Sequence, residues 1–271
     1  MGISGAGLAT ALSQYISFLI LGSVFLLGKT ESKIKPKFLS ADFKVMGDIV
    51  VTGLPSLARQ GLNSVSTMVL NSAAKPFGDA AIAAMGYVGR TSSLIFSVGL
   101  GIGQGFQPVS GFNYGAKKYS RVKEGSLFTL GFGTAFIGII AVVCFIFAPN
   151  IISLFRTEDL VIEIGSEALR IMCVCILFLP VSVVATMLFQ SIGKSASALI
   201  ISCLQSGLLF IPLCLILPGF FGVRGIEISQ PIAYFLSSLV SVPMLISFLK
   251  KLPKDEDVTS ESEPQSATNE A

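Results

Sequence analysis

The sequence predicts an all-α membrane protein with about seven transmembrane helices, and three observations carry that expectation. Of its 271 residues 52% are hydrophobic and 13% charged, with a mean hydropathy of +0.78, well outside the composition of soluble domains. Six runs, at residues 2–28, 91–116, 125–155, 171–193, 195–223 and 228–249, hold no Asp, Glu, Lys or Arg. Each reaches the roughly 20 residues that a helix needs to cross a bilayer core. A seventh, residues 49–74, is interrupted only by Arg59. The third observation is the sorting of cations between alternate connections.

Along the chain, the first span opens with Gly2-Ile3-Ser4-Gly5, and the last is entered with an echo of it, Gly222-Val223-Arg224-Gly225. If each copy opens the closing helix of a bundle, the chain holds the tail of one bundle and the whole of a second. Residues 28–47 form the longest connection, polar and basic, as a tether between bundles should be. Residues 75–80 and 190–195 read as tight turns and residues 111–124 as a basic loop. From Asp255 onward the acidic, Ser/Thr-rich tail lacks the apolar residues needed to fold.

On one side of the membrane lie Lys29, Lys33, Lys35, Lys37, Lys44, Lys117, Lys118, Arg121, Lys123, Lys194, Lys250, Lys251 and Lys254. The other side has Lys75, Arg156 and Arg224. The positive-inside rule therefore places the C-terminus in the cytoplasm and the N-terminus outside a cell membrane. That N-terminus, with no basic leader before the first span, is the arrangement expected if an even number of helices is missing in front.

Composition excludes several chemistries. The chain has no His and no Trp, which removes His-based acid–base catalysis and His metal sites. The five cysteines, Cys144, Cys173, Cys175, Cys203 and Cys214, fall in apolar spans, where they read as small hydrophobes. Ile192-Gly193-Lys194-Ser195 imitates the end of a phosphate-binding loop, but Leu188 stands where its first glycine is required and a membrane helix precedes it. ATP-driven transport, cofactors and nucleic acid are not expected, and neither is an enzyme.

Polar residues inside the spans carry the functional expectation. Arg59 lies about 11 residues past Asp48, near mid-bilayer, where an arginine costs roughly 2.5–3.5 kcal/mol on insertion scales. Gln60, Asn63, Thr67 and Asn71 follow at steps of three or four and share its side of the helix. Such a stripe either forms interhelical hydrogen bonds or lines an aqueous cavity. Gly53-x-Pro55 before it suggests a bend. Gly99, Gly101, Gly103 and Gly105 favour close helix approach, while Gln104 and Gln107 between them point to core bonding or to the same cavity. Met68, Met172, Phe178 and Met187 are either adaptable apolar cavity contacts or plain core. Glu167 and Arg170, one turn apart, should form an ion pair, with a gate as the alternative. Glu227 reads as an anion at a helix N-terminus. No Asp or Glu sits deep in a span by this count, although ion-coupled transporters usually hold one there.

Several of these stretches resemble the multidrug and toxic compound extrusion (MATE) family. They are Gly53-Leu54-Pro55, Gly78 to Gly86 (Gly-Asp-Ala-Ala-Ile-Ala-Ala-Met-Gly), Gly103-Gln104-Gly105-Phe106-Gln107-Pro108 running on to Ala116, Ala168-Leu169-Arg170-Ile171, and Phe189-Gln190-Ser191-Ile192-Gly193-Lys194. The resemblance covers about residues 2–250. It implies a transporter of twelve helices in two six-helix lobes, with residues 1–27 the last helix of the first lobe. Residues 28–47 would be the cytoplasmic inter-lobe linker, 48–249 the six-helix second lobe and 250–271 the tail.

The resemblance also implies antiport, in which cationic or amphipathic drugs leave in exchange for Na+ or H+. Some members carry a Glu where this chain has Asn63 and an Asp near Leu179, so the coupling site is expected in the missing first lobe. The expected partners are membrane lipids, drug-like cations and that lobe, and the cavity wall would comprise Arg59, Gln60, Asn63, Thr67, Gln104 and Gln107 with the four apolar residues above. Two other readings stay open: a flippase for lipid-linked precursors of similar build, and a non-transporting product that needs a partner lobe.

Overall fold

A computed structural model describes residues 2–27 and 43–253. They fall into two compact units, Met1–Asp48 and Ile49–Ala271. Most of the expected linker and tail lies outside the described residues. The first unit holds α1 (Gly2–Leu26) and the start of α2 (Phe43–Ala74). The second continues α2 and adds α3 (Asp79–Gly115), α4 (Tyr119–Ile146), α5 (Ala148–Ser153), α6 (Asp159–Cys175) and α7 (Leu179–Ser191). The chain then runs through α8 (Ser195–Cys203), α9 (Phe210–Phe221) and α10 (Val223–Lys251).

Among the described residues six stretches are long and apolar enough to cross a membrane: Gly7–Val24, Asp79–Gly115, Tyr119–Ile146, Asp159–Ser191, Ser195–Phe221 and Val223–Lys251. The protein is thus an all-α, multi-pass membrane protein. The remaining helix, α2, has 32 residues, about 48 Å by helix rise. It has the length to span, but its polar stripe lowers its hydropathy.

One boundary differs from the sequence expectation. Residues 111–124 are not a loop, because α3 runs to Gly115 and α4 starts at Tyr119. The polar and basic residues there sit on helix ends that extend past the apolar core, where water satisfies side chains without breaking the helical bonds. The last helix starts as expected, since α10 begins at Val223 within the Gly222-Val223-Arg224-Gly225 entry and takes in Arg224 and Glu227 ahead of the charge-free run. Charge therefore marks depth here better than it marks helix ends.

Breaks inside the spans have local causes. Pro180 follows the 3₁₀ segment Ile176–Phe178 and occupies the first turn of α7, where its missing N–H is not needed. Between α8 and α9 lies a π-helical stretch, Leu204–Leu208. There the Ser206 carbonyl accepts a 2.8 Å hydrogen bond from Ser66 Oγ of α2. Gly207 makes room for that joint: a Cβ would sit 3.1 Å from Leu62 Cβ.

The core is built around α3. Its buried face packs Ile95 with Ile137, Leu169, Leu179, Val183 and Met187. A second cluster joins Phe106, Val122, Leu188, Phe189, Ile201 and Phe248. The glycines divide between two faces. A Cβ on Gly99 would lie 2.9 Å from Ile137, and one on Gly103 would lie 2.6 Å from Val183, whereas Gly101 and Gly105 face open space. Only the first pair serves close packing. Hydroxyls pair across the same seams, with Ser110 to Ser191 at 2.8 Å and Ser182 to Ser241 at 3.2 Å.

Gly222, at φ +60, ends α9 and turns directly into α10. A Cβ on Gly225 would strike the Leu217 and Pro218 backbone. That is the physical reason for the Gly-x-x-Gly opening of the last helix.

Gly103→Val is expected to cost about 1–3 kcal/mol through overpacking and to lower the unfolding temperature in detergent. Gly101→Ala should leave it unchanged. Equal melting of the two variants would contradict the assignment of faces.

Candidate functional site: a polar wall on α2 and α3

Exposed helix faces in this lobe are of two kinds. On α4 the outward side is Leu127, Phe128, Phe132, Phe136, Ile139 and Val142, with the three phenylalanines stacked at 6.1 and 5.9 Å. That face is suited to acyl chains. On α3 the exposed positions include Arg90, Ser93, Ser97, Gly101 and Gln104, at steps of three and four. On α2 they include Gln60, Asn63, Ser64, Thr67 and Asn71. Polar and charged side chains of this density do not face hydrocarbon without cost, so α2 and α3 present a wall suited to water or to a polar ligand.

Arg59 joins the two helices. It sits midway along α2, half-buried, with its guanidinium carbon 5.9 Å from the Phe96 ring centre on α3. The wall's hydroxyls are tied to their own helices: Ser64 to the Gln60 carbonyl, Thr67 to Asn63, Ser93 to Gly89 and Ser97 to Ser93. Their donors are occupied while their oxygens still have accepting capacity. Gln190 of α7 donates to the Thr52 carbonyl at 3.0 Å and lies 3.3 Å from Ser56 Oγ, anchoring the other end of α2.

The sequence-predicted residues separate accordingly. Arg59, Gln60, Asn63 and Thr67 lie together on α2, beside Met68, which is 69% exposed. Gln104 belongs to the exposed face of α3, and Gln107 is half-buried. Phe178 stands apart, edge-on to Phe235 of α10 at 5.2 Å. Met172 and Met187 are 4% and 3% exposed, and Met187 packs over Gly103. These two methionines are core rather than cavity contacts. An apolar residue opposite a glycine seam is drawn inward, and sequence alone does not show which partner the glycine faces.

Three charged residues also depart from expectation. Glu167 pairs with Arg224 at 3.2 Å, not with Arg170. Arg170 instead lies over the Phe145 ring at 5.8 Å. Glu227, expected as an anion at a helix N-terminus, is the fifth residue of α10 and 3% exposed with Oε2 unpartnered. Burial of α10 against α6 encloses it, which spacing could not reveal. Arg90 was missed because it borders a charge-free run. Its signal was present, since Arg90, Ser93, Ser97 and Gln104 repeat the stripe of α2. Among the described residues no cluster of three or more Cys, Asp or Glu could hold a metal ion, and all five cysteines are free.

The family model MatE matches residues 55–216, most of the second unit and the whole of this wall from Arg59 to Gln104. The chain belongs to the MatE family. Among curated proteins it is 26% identical over 253 residues to the multidrug export protein MepA of Staphylococcus aureus, covering 92% of this chain and 54% of that protein. It is 24% identical over 249 residues to MepA of Staphylococcus saprophyticus. The chain spans about half the length of these relatives.

Among solved structures, a multidrug resistance MATE transporter of the MOP superfamily in an outward-facing conformation superposes with a TM-score of 0.80. It has 24% identity and covers 93% of this chain and 58% of that one. A MATE protein in complex with MaL6 gives 0.80 at 25% identity, covering 92% and 58%. A MOP superfamily transporter from Pyrococcus furiosus, described as having a binding pocket of reverse polarity, gives 0.80 at 24% identity, covering 93% and 58%.

The wall is testable without knowing its ligand. In a chain with its own cysteines replaced and held in membranes, Ser97→Cys should react with a charged maleimide about tenfold faster than Phe132→Cys, since the thiolate forms only in water. Equal labelling would make both faces lipid-facing.

Proposed function

We propose that this chain forms one lobe, with one helix of another, of a MatE antiporter that exports cationic or amphipathic compounds across the cell membrane in exchange for Na+ or H+. The observation that carries this reading is the polar wall of α2 and α3 on a lobe whose other exposed faces are apolar. A transporter lobe needs such a face toward its pathway, because a polar solute crosses only where water or polar groups replace its hydration. Family membership supports the reading, and so does the multidrug export described for its relatives.

In this account α1 is the last helix of the first lobe, residues 28–47 lead to the second, and the C-terminus is cytoplasmic. Transport requires the partner lobe. Arg59, Gln60, Asn63, Thr67 and Gln104 contact the solute, with Met68 and Arg90 beside them. The coupling ion binds mainly in the partner lobe, since the wall itself carries no carboxylate.

A second reading gains from Arg90. A flippase for an anionic lipid-linked precursor needs cations along its path, and Arg90 adds an exposed arginine to Arg59 on the same pair of helices. Substituting Arg90→Gln separates the two: it should spare export of a cationic dye and impair only the movement of an anionic lipid.

When this chain is reconstituted with a MatE first lobe, Asn63→Ala or Arg59→Ala should reduce efflux about tenfold, equivalent to roughly 1.4 kcal/mol. Unchanged efflux in both would remove the wall from the pathway. Glu227→Gln should leave ion-driven efflux intact, and its loss would move the coupling group into this half.

A further inference from the structure

One end of the second unit holds a cleft that the transport reading does not use. Its volume is about 670 Å³, and it lies between the ends of α3, α4 and α10 and the α7–α8 turn. Lys194 and Lys251 stand at its rim. Tyr114 and Tyr119, edge to face at 5.6 Å, form one wall. Phe248 forms the floor, and the Lys194 ammonium sits over its ring at 4.4 Å. That contact holds a lysine in place on an apolar surface. Lys123 fixes the adjoining end of α10 by donating to the Leu252 carbonyl at 3.2 Å.

The cleft is graded along its length. Pro243 and Met244 line it as well, about 12 Å from Lys251 by helix rise and toward the membrane interior. A free anion would use the lysines and leave the apolar portion empty. A phospholipid would use both, with its phosphate at the ammoniums and phenol hydroxyls and its glycerol and first methylenes against Met244 and Phe248. The position suits such a ligand. Helix ends mark the interfacial depth, and this end carries Lys117, Lys118, Arg121, Lys123, Lys194, Lys250 and Lys251 against Glu124. The opposite end carries Lys75, Arg156 and Arg224 against Asp79, Glu158, Asp159, Glu163 and Glu167. By the positive-inside rule the basic end faces the cytoplasm, where anionic lipids are attracted to basic segments.

We infer that the Lys194–Lys251 cleft is a binding site for the head group of an anionic glycerophospholipid in the cytoplasmic leaflet. It binds the phosphodiester by charge and donated hydrogen bonds and selects against zwitterionic lipids, whose choline would meet the lysines.

Native mass spectrometry of the full chain in neutral detergent tests this with dioleoyl phosphatidylglycerol, dioleoyl phosphatidylcholine and inorganic phosphate as probes. Phosphatidylglycerol should be retained about tenfold better than phosphatidylcholine. The Lys194→Ala/Lys251→Ala variant should lose that preference, and Lys117→Ala/Lys118→Ala, which removes the same charge outside the cleft, should keep it. Should the double variant fail to fold, Lys251→Gln alone should weaken retention about threefold, since it removes one of the two charges. Equal losses in the two double variants would reduce the effect to general surface charge. Displacement of the lipid by millimolar phosphate would make this a phosphate site. Selectivity seen only in a chain ending at Pro253 would identify the acidic segment Asp255-Glu256-Asp257 as the occupant. Each of these three results overturns the proposal.

Discussion

The second unit depends on one constraint: α3 must approach its neighbours at backbone distance on one side while carrying polar groups on the other. Gly99 and Gly103 meet the first demand, because no side chain fits between them and Ile137 or Val183. Arg90, Ser93, Ser97 and Gln104 meet the second. In lipid the hydrophobic effect does not drive helices together, so packing and interhelical hydrogen bonds must do so. Removing a side chain at two positions one turn apart lets α7 lie against α3 closely enough for Ser110 to reach Ser191. The rigidity of that seam keeps the polar face of α3 pointing outward.

The helix opposite it is held differently. Nearly all of α2 is exposed, with Pro55, Ser66 and Ala74 its buried residues. Its polar attachments are separate points, Gln190 on Thr52, Arg59 over Phe96, and Ser66 on the carbonyl that a π-helical stretch presents, while Val69, Leu70, Ala73 and Ala74 pack its last turns into the core. A π turn misaligns the usual i to i−4 ladder, so a carbonyl there accepts from another helix at little loss. The two sides of the polar wall thus differ in kind, one set by a glycine seam and the other by a few polar contacts and the packing of its last turns.

Much of this was legible in the sequence. Charge-free runs located the spans because burying a charge in lipid is costly, and that cost acts on single residues. The stripe on α2 was legible for a related reason, since helical period alone puts Gln60, Asn63 and Thr67 on one side. Pairing was not legible. Glu167 has Arg170 within reach along its helix, yet it bonds Arg224 from another helix. Met187 and Met68 have the same chemistry, but one lies under a glycine seam and the other is exposed. Helix ends were also misread around residues 111–124, because a charged residue can sit on a helix as readily as in a loop once it is past the hydrocarbon.

Glu227 shows what this separation of scales implies. Its sequence position suggests an anion at a helix N-terminus, and Arg224 lies one turn before it on α10. The fold instead commits Arg224 to Glu167 and closes α6 over Glu227, leaving Oε2 without a partner. A buried polar atom without a hydrogen bond is costly unless another state satisfies it. The Leu217–Pro218 backbone against Gly225 fixes the first turn of α10, so relief cannot come from a small shift of that turn alone. Reach along the helix thus misleads twice at this end: Glu167 passes over Arg170 for Arg224, and Glu227 is left without Arg224.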